Sequence, residues 1–399
     1  MVSPQAKRWT SRSVGPRRGV VCGVVLVAAL LALAAPAQAA PQFTPLIATV
    51  LAQPAPVKGT DGRIHVVYEI LLQNDAGAHV DVLSLAVRTG RGRPLLRVAG
   101  DQVPTVMTSF ARQPTASLEA SEGGKLLLDL VLRRARQVPG ALVHRMSVRA
   151  TLGGETRDFT FDAARTRVTR RQAVSLAPPL RGGQYLNFNG CCGLSPHRTA
   201  IAAVDGTPWL SERFASDFIQ IDAQGRGGAG DLSRNESFFT FGDPVYAVAG
   251  GRVVSTRNDQ PENTPLMEPA INFTPQTTLG NNVVVRLRGG RYALFAHLER
   301  GSVRVRRGQR VRTGDVLGRV GNSGDTGGPH LHYQLSDGPD PVASDGVPYT
   351  FARFGLVGSV TNVEQFLTGQ APADIQRLDP VAQRRGELPL QSTVVRFGG

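Results

Sequence analysis

The most informative stretch of the sequence is residues 327–335, which read Gly327-Gly328-Pro329-His330-Leu331-His332-Tyr333-Gln334-Leu335. The glycines and the proline end a loop, and the alternation after them predicts a β-strand. Residues i and i+2 of a strand point to the same face, so His330 and His332 are predicted to project together, about 7 Å apart at their Cα atoms. Such a pair can hold a metal ion with one imidazole and place the other beside it, although strands also carry histidines for packing or solvent contact.

Two further segments place an ionisable side chain in an apolar strand. In Tyr292–Leu298, His297 lies just before a turn and can reach the rim of a cleft, with a capped strand-end histidine as the alternative. In residues 213–221, Asp217 interrupts a largely apolar strand, and a buried carboxylate needs a partner or a metal ion. Arg213 is the nearest candidate for a salt bridge, so an ion pair and a metal site are both open for Asp217.

Taken in order, these segments resemble one family, the lysostaphin-type (LytM-like) zinc endopeptidases that cleave cross-bridges and stem peptides of bacterial peptidoglycan. The resemblance spans residues 185–350, and its most specific segments are Phe241–Ala247, Gly250–Val254, Gly280–Val285, Ala296–Leu298, Gly308–Gly324 and Pro329–His332. It implies an exported zinc metalloendopeptidase with one Zn²⁺ per chain and a peptidoglycan peptide as substrate. It also implies that His332 and Asp217 are metal ligands and that His330 and His297 are catalytic.

The third metal ligand departs from the usual family pattern. That pattern places a histidine four residues before the aspartate, where this chain has Arg213. A subgroup resembles this chain in having an upstream His-Arg pair before an Arg-Phe-Ala-x-Asp strand, which implies His197 as the third ligand. An arginine stays protonated and cannot donate a lone pair to zinc, so we expect Arg213 beside the site, bonded to Asp217 or to a substrate carboxylate. The alternative is that His197 is an ordinary surface-loop histidine.

The resemblance implies hydrolysis by a zinc-activated water, with His330 as general base and His297 as the donor to the developing oxyanion, or with these roles exchanged. The sequence contains no Gly-x-Ser-x-Gly nucleophile elbow. Family members that lost ligands act as non-catalytic activators of other cell-wall hydrolases, and a peptidoglycan-binding activator is therefore the alternative function. The presence of Asp217, His297, His330 and His332 favours an active enzyme.

The fold implied for residues 184–355 is an antiparallel β peptidase domain with lipoyl/biotinyl-like hairpins, a duplicated hybrid motif, around Val303–Val320. A carrier or phosphotransfer module uses the same hairpin, but the lysines after residue 39 are Lys58 and Lys125, both outside this region. The polar loops 223–237 and 257–280 exceed the usual connection length, and we expect them to wall the substrate groove. The sequence does not decide which peptide bond is cleaved.

The N-terminal half of the chain shows a different pattern. Residues 40–170 alternate short apolar runs with turn signals, which predicts an immunoglobulin-like β-sandwich. Its histidines, His65, His79 and His144, share no motif with a carboxylate or a thiol and are interpreted as ordinary strand or loop residues. A linker at 171–183 contains Pro178-Pro179 and Gly182-Gly183, and residues 356–399 are taken as a C-terminal extension.

Residues 1–39 have the pattern of an export signal. Arg17-Arg18 precede an uncharged apolar run over 19–35, and Ala37-Gln38-Ala39 offers a cleavage site. We therefore expect an exported protein, periplasmic, cell-wall-associated or extracellular, that meets the membrane only through this segment; an uncleaved anchor is the alternative. Cys191 and Cys192 are adjacent in the sequence. Their Cα atoms therefore lie closer together than the usual Cα separation of a disulfide, about 4.4–6.8 Å. This spacing favours a structural turn over a disulfide bridge, and free thiols or metal ligands are further alternatives.

Composition sets the limits on these interpretations. The 399 residues are 41% hydrophobic, enough for two or three domains with buried cores, which excludes a disordered tail protein. The formal charge of +14 comes almost entirely from arginines scattered along the chain, so we expect no nucleic-acid partner. The oligomeric state is not indicated.

Overall fold

The computed structural model describes residues 41–269 and 271–398. The expected export signal at 1–39 lies outside the described residues. Within the described part of the chain, no helix is long and apolar enough to cross a membrane. The described elements are almost all β-strands in antiparallel sheets, so the prediction of a mainly β fold is confirmed.

The N-terminal half forms two sheets, each of five strands among the described residues. The first sheet contains β1 (Leu46–Val50), β2 (Ala55–Lys58), β3 (Ile64–Asn74), β6 (Met107–Ser109) and β8 (Gly123–Leu132). The second contains β4 (His79–Thr89), β5 (Pro94–Ala99), β7 (Ser117–Leu118), β9 (Ala141–Leu152) and β10 (Glu155–Arg167). One apolar core with residues from both sheets, including Tyr68 and Val82, joins them into a sandwich. Its assignment as immunoglobulin-like stays a prediction.

Strand β3 is buried on both faces. Val66, Tyr68 and Ile70 point into the sandwich core, whereas Val67 packs in the apolar cluster of the C-terminal half. Glu69, on the same face as Val67, is fully buried. The outer face of the first sheet is therefore an internal contact surface between the two halves of the molecule.

The C-terminal half is built on one antiparallel sheet, with ten strands in the described residues, in the order β20-β17-β18-β19-β22-β15-β12-β26-β24-β25. The bounds are β12 (Gln184–Asn187), β15 (Ser216–Ile221), β17 (Gly251–Arg257), β18 (Asn281–Leu287), β19 (Tyr292–Leu298), β20 (Arg310–Val311), β22 (Leu331–Ser336), β24 (Phe354–Val360), β25 (Ile375–Arg384) and β26 (Thr393–Arg396). Residues 356–399, set apart by the sequence as an extension, thus contribute to the strands of this sheet. The domain boundaries themselves remain predictions.

Smaller elements complete the described fold. They are β11 (Val174–Leu176) with β23 (Tyr349–Phe351), β13 (Ala202–Val204) with β14 (Thr207–Trp209), β16 (Pro244–Tyr246) with β21 (Val316–Arg319), the helices α1 (Pro196–Thr199) and α2 (Val363–Leu367), and 3₁₀ turns at Gly100–Thr105, Ala135–Gln137 and Asn235–Ser237. Cys191 and Cys192 are joined by a disulfide bond, the alternative that the sequence argument disfavoured. The sequence expectation of an unbridged turn is wrong, because the Cα separation typical of disulfides does not apply to adjacent residues.

Strand β22 of the large sheet turns apolar side chains to one face and polar side chains to the other. On β22, Tyr333 and Leu335 point into the main apolar core, where the Tyr333 ring packs edge-on against Tyr349. The alternate residues His332 and Gln334 point to the other face. The period-2 alternation predicted from the sequence therefore places His332 on the polar face of β22.

Candidate metal centre

Asp217 lies at the middle of a buried polar cluster. It is the second residue of β15, pairs in register with His332 of β22, and is 3% exposed. Its Oδ1 lies 2.9 Å from His332 Nδ1, and its Oδ2 lies 3.1 Å from His197 Nε2. The Asn189 side-chain amide also donates to Oδ2, at 2.9 Å. The structure thus brings together the three residues that the resemblance implied as ligands.

The hydrogen bonds of His332 fix which of its nitrogens is free. Its Nε2 lies 2.9 Å from Gln334 Oε1, and Gln334 Nε2 in turn donates to the Pro341 carbonyl, which fixes the orientation of the amide. His332 Nε2 is therefore the protonated nitrogen, and Nδ1 presents its lone pair to Asp217 Oδ1. Two acceptors facing each other at 2.9 Å require a cation at this position, either a proton or a metal ion.

His297 and His330 are oriented in the same manner, by backbone carbonyls. His297 Nδ1 donates to the Ser323 carbonyl at 2.9 Å, and His330 Nδ1 donates to the Gly328 carbonyl at 2.9 Å. Their rings lie 4.8 Å apart between centroids, and His330 Nε2 is 3.6 Å from Asp217 Oδ1. His330 therefore presents an unprotonated Nε2 towards Asp217, and His297 also has an unprotonated Nε2.

Local backbone structure supports these positions. His297, near the end of β19, has a φ of 61°, a left-handed conformation that is uncommon for a residue with a side chain and clusters at functional sites. His330 directly precedes β22 rather than lying within it. His197 lies in α1, whose first turn is capped by the Ser195 side chain accepting from the Arg198 amide.

The pKa shifts reflect burial and mutual charge. Burial would raise the pKa of Asp217, but the charge and the hydrogen bond of His197 act against burial, and the pKa lies well below its usual range. Burial would lower the pKa of His197, but the Asp217 carboxylate raises it. Burial lowers the pKa of His297 and of His330, so both imidazoles are held neutral.

The donor set fits a zinc ion. A ligand atom from each of His197, Asp217 and His332 can be chosen so that all lie within 4.8 Å of one another. Two imidazoles and one carboxylate are a common catalytic zinc set, which leaves one position for water or substrate. Gln334 behind His332 supplies the outer hydrogen bond that such ligands usually have.

The expectation for Arg213 is wrong. Arg213 precedes β15, and its guanidinium lies 3.0 Å from Glu69 Oε2 and donates to the Val67 carbonyl at 2.7 Å, away from Asp217. Asn189 is the side chain that bonds the carboxylate instead. Sequence reasoning also missed Gln334, although its position two residues after His332 on the same strand face was a usable signal.

The expected loops lie close to the cluster. In the segment 257–280, the Leu266 amide donates to the Gly327 carbonyl and Asn263 bonds the carbonyls of Gly324 and Thr326, so this loop packs against the segment that leads to His330. Asn235, at the end of the segment 223–237, bonds the Asn263 carbonyl.

A second group of potential ligands lies elsewhere. His65, Asp129 and Cys192 have ligand atoms close together, but the sulfur of Cys192 is in the disulfide and offers no thiolate. His65 is instead bonded to Asp129 at 2.7 Å and Asp61 at 3.1 Å. This group is therefore an ion-pair cluster of the sandwich.

Comparison with known proteins identifies the class. Residues 237–344 match the sequence model of peptidase family M23, a segment that contains His297, His330 and His332. This segment is similar to that family, and the expected resemblance to the lysostaphin-type enzymes is confirmed over these residues.

Particular relatives are similar over short segments. The peptidoglycan DD-endopeptidase ShyA of Vibrio cholerae is 34% identical over 94 residues, which cover 24% of this chain and 17% of that protein. The DD-carboxypeptidase/endopeptidase Mpg of Neisseria meningitidis is 37% identical over 86 residues, 21% of this chain and 19% of that protein. A solved putative M23 peptidase from Pseudomonas aeruginosa is 15% identical, with 80% of this chain and 97% of that chain covered and a TM-score of 0.25. The chain thus spans less than a fifth of the length of these curated relatives.

Proposed function

We propose that this protein is a zinc metalloendopeptidase that hydrolyses peptide bonds in bacterial peptidoglycan. The observation that carries the proposal is that His197, Asp217 and His332 have ligand atoms within 4.8 Å of one another, with the imidazoles of His297 and His330 beside them. The names of the relatives ShyA and Mpg, which refer to peptidoglycan and to DD-peptidase activity, support this substrate class. We further propose that the chain is exported, because peptidoglycan lies outside the cytoplasm.

The residues divide into two groups with separate tasks. When bound by His197, Asp217 and His332, a zinc ion supplies an electrophile that polarises the scissile carbonyl and acidifies a water molecule. His330 Nε2, unprotonated and 3.6 Å from Asp217, is placed to accept the proton of the attacking water. The His297 ring lies 4.8 Å from the His330 ring between centroids. His297, whose Nδ1 proton is used by the Ser323 carbonyl, can therefore take over this proton and then donate it to the developing oxyanion or the leaving amine.

The test separates catalysis from metal binding. We compare wild-type protein with His330→Ala on purified sacculi and identify released peptides by mass spectrometry, with zinc content measured on the same samples. The variant should keep zinc but lose about 10²–10⁴-fold in rate, the usual contribution of an acid–base group. His79→Ala is the matched control, because His79 lies in the sandwich and bonds Glu119 and Asp81.

Two results would contradict the proposal. Zinc-loaded wild-type protein without hydrolysis on sacculi of any peptide chemistry would favour the non-catalytic activator. Equal activity of His330→Ala and wild type would remove His330 from the reaction.

A further inference from the structure

A buried ionic cluster joins the sandwich to the elements that carry two of the three ligands. Its centre is Glu69 of β3, which is fully buried on the outer face of the first sheet. Arg198 and Arg213 reach it from the C-terminal half, and they are 1% and 3% exposed. A buried carboxylate is retained at such a place only when its charge is closely paired.

Glu69 holds both guanidinium groups at once. Its Oε1 accepts from Arg198 Nη2 at 2.8 Å and from Arg198 Nε at 3.2 Å, a two-point contact that fixes direction as well as distance. Its Oε2 lies 3.0 Å from Arg213 Nη2. One side chain of the sandwich therefore fixes two arginines that lie 15 residues apart in the other half of the chain.

The arginines are close neighbours of metal ligands. Arg198 directly follows His197 in the four-residue helix α1, so a shift of its guanidinium moves the backbone that carries the His197 imidazole. Arg213 lies four residues before Asp217, in the turn that leads into β15. The carboxylate of Glu69 thus sets the position of one ligand through each arginine.

A second contact from the sandwich acts on the same helix. Lys125 of β8 is 3% exposed, and its Nζ donates to the carbonyl of Thr199, the last residue of α1. Arg198 also donates to the carbonyls of Tyr68 and Leu128, which belong to β3 and β8. The last two residues of α1 are therefore bonded to the first sheet of the sandwich.

Resting on the proposed zinc centre, we propose that Glu69 is a positioning residue of that centre, through which docking of the sandwich and zinc affinity are linked. The sandwich then contributes to the metal site by positioning two of its ligands. Linkage is reciprocal, so zinc must stabilise the contact between the halves by the same factor by which the contact strengthens zinc binding.

The first experiment measures zinc affinity in the full chain by competition with a chelator. Glu69→Gln keeps the shape of the side chain but leaves two buried arginines without their anion. Zinc should then bind about 5–150-fold more weakly, the usual range for coupling between two sites. Glu69→Asp, which keeps the charge, should lose less. Glu155→Gln is the matched control, because Glu155 is exposed at the remote strand β10.

A spectroscopic measurement distinguishes positioning from general loss of stability. Cobalt(II) bound in place of zinc should show an altered visible spectrum in Glu69→Gln, since the spectrum reports ligand geometry. An unchanged zinc affinity and cobalt spectrum in a folded Glu69→Gln protein would overturn the inference.

A measurement on wild-type protein covers the case in which the variant does not fold. Hydrogen exchange at residues 64–74, 123–132 and 196–199 should increase when zinc is removed, while exchange at 155–167 stays constant. Equal exchange with and without zinc would overturn the inference. Wild-type protein that binds zinc but hydrolyses nothing would defeat the proposed function alone, and protein that binds no zinc would defeat both.

Discussion

The polar face of β22 shows how one residue controls another at the proposed metal centre. His332 can offer Nδ1 to a metal ion only because its Nε2 donates to Gln334 Oε1 at 2.9 Å. Gln334 is itself 1% exposed and held by the Pro341 carbonyl, so it does not turn away. The free nitrogen of His332 is thus set by Gln334, two residues further along the strand.

We therefore expect Gln334→Leu to weaken zinc binding by about 10–100-fold, because the His332 imidazole loses the acceptor that fixes its tautomer and orientation. Chelator competition measures this directly. Gln365→Leu, at an exposed position of α2, should bind zinc as wild type does. Equal affinity of Gln334→Leu and wild type would show that the ring is fixed by other contacts.

At the level of strands, register brings together charges that are far apart in sequence. Arg252 of β17 pairs directly with Arg286 of β18 on one side and with Arg310 of β20 on the other. All three are exposed, and among the described residues none has an acidic partner within ion-pair distance. Like charges directly opposite each other on adjacent strands are destabilising.

We predict that Arg252→Glu raises the free energy of unfolding by about 0.5–1 kcal/mol, because it replaces two repulsive cross-strand pairs by two attractive ones. The change also removes the exposed hydrogen bond from Arg252 to the Gly308 carbonyl, which reduces the gain. Denaturant unfolding measures the difference, and it should shrink as salt is added. Arg353→Glu, at another exposed arginine, is the control; a less stable Arg252→Glu protein would refute the prediction.

At the level of the whole molecule, stability should depend on pH through a histidine in the sandwich core. His144 is fully buried, its Nδ1 donates to the Ala164 carbonyl, and its Nε2 accepts from the Tyr68 hydroxyl at 2.8 Å. Burial lowers the pKa of His144 to about 4. The unfolded chain therefore binds more protons than the folded chain between pH 6.5 and 4.

The unfolding free energy should then fall as the pH drops from 6.5 to 4, by on the order of 3 kcal/mol from this group. His144→Gln can keep both hydrogen bonds but does not titrate, so its stability should depend less on pH across this range. Unfolding curves of the two proteins at pH 7 and pH 4.5 test this. Equal slopes would show that another group is responsible.

The sequence predicted those parts of the site that depend on local pattern. Strand alternation predicted that His332 lies on the polar face of β22. The resemblance implied His197, Asp217, His297 and His330 as site residues, and their roles stay predictions. The partner of Arg213 could not be predicted, because Glu69 is 144 residues away and lies in another sheet. The strand order of the ten-stranded sheet was also only partly predictable. The pairing of β26 with β12 joins segments that are far apart in the sequence, and no local sequence pattern indicates it.

The place of β26 in this sheet has a consequence for how the protein is made. Residues 393–396 leave the ribosome after all the histidines and Asp217, yet they lie between β12 and β24, and β12 is the direct neighbour of β15. In a nascent chain that lacks them, β12 can pair with β15, the strand of Asp217, on one side but has no partner strand on its other side. The pairing of β12 with β26 can therefore form only after residues 393–396 have been made, later in synthesis than every residue of the proposed metal site.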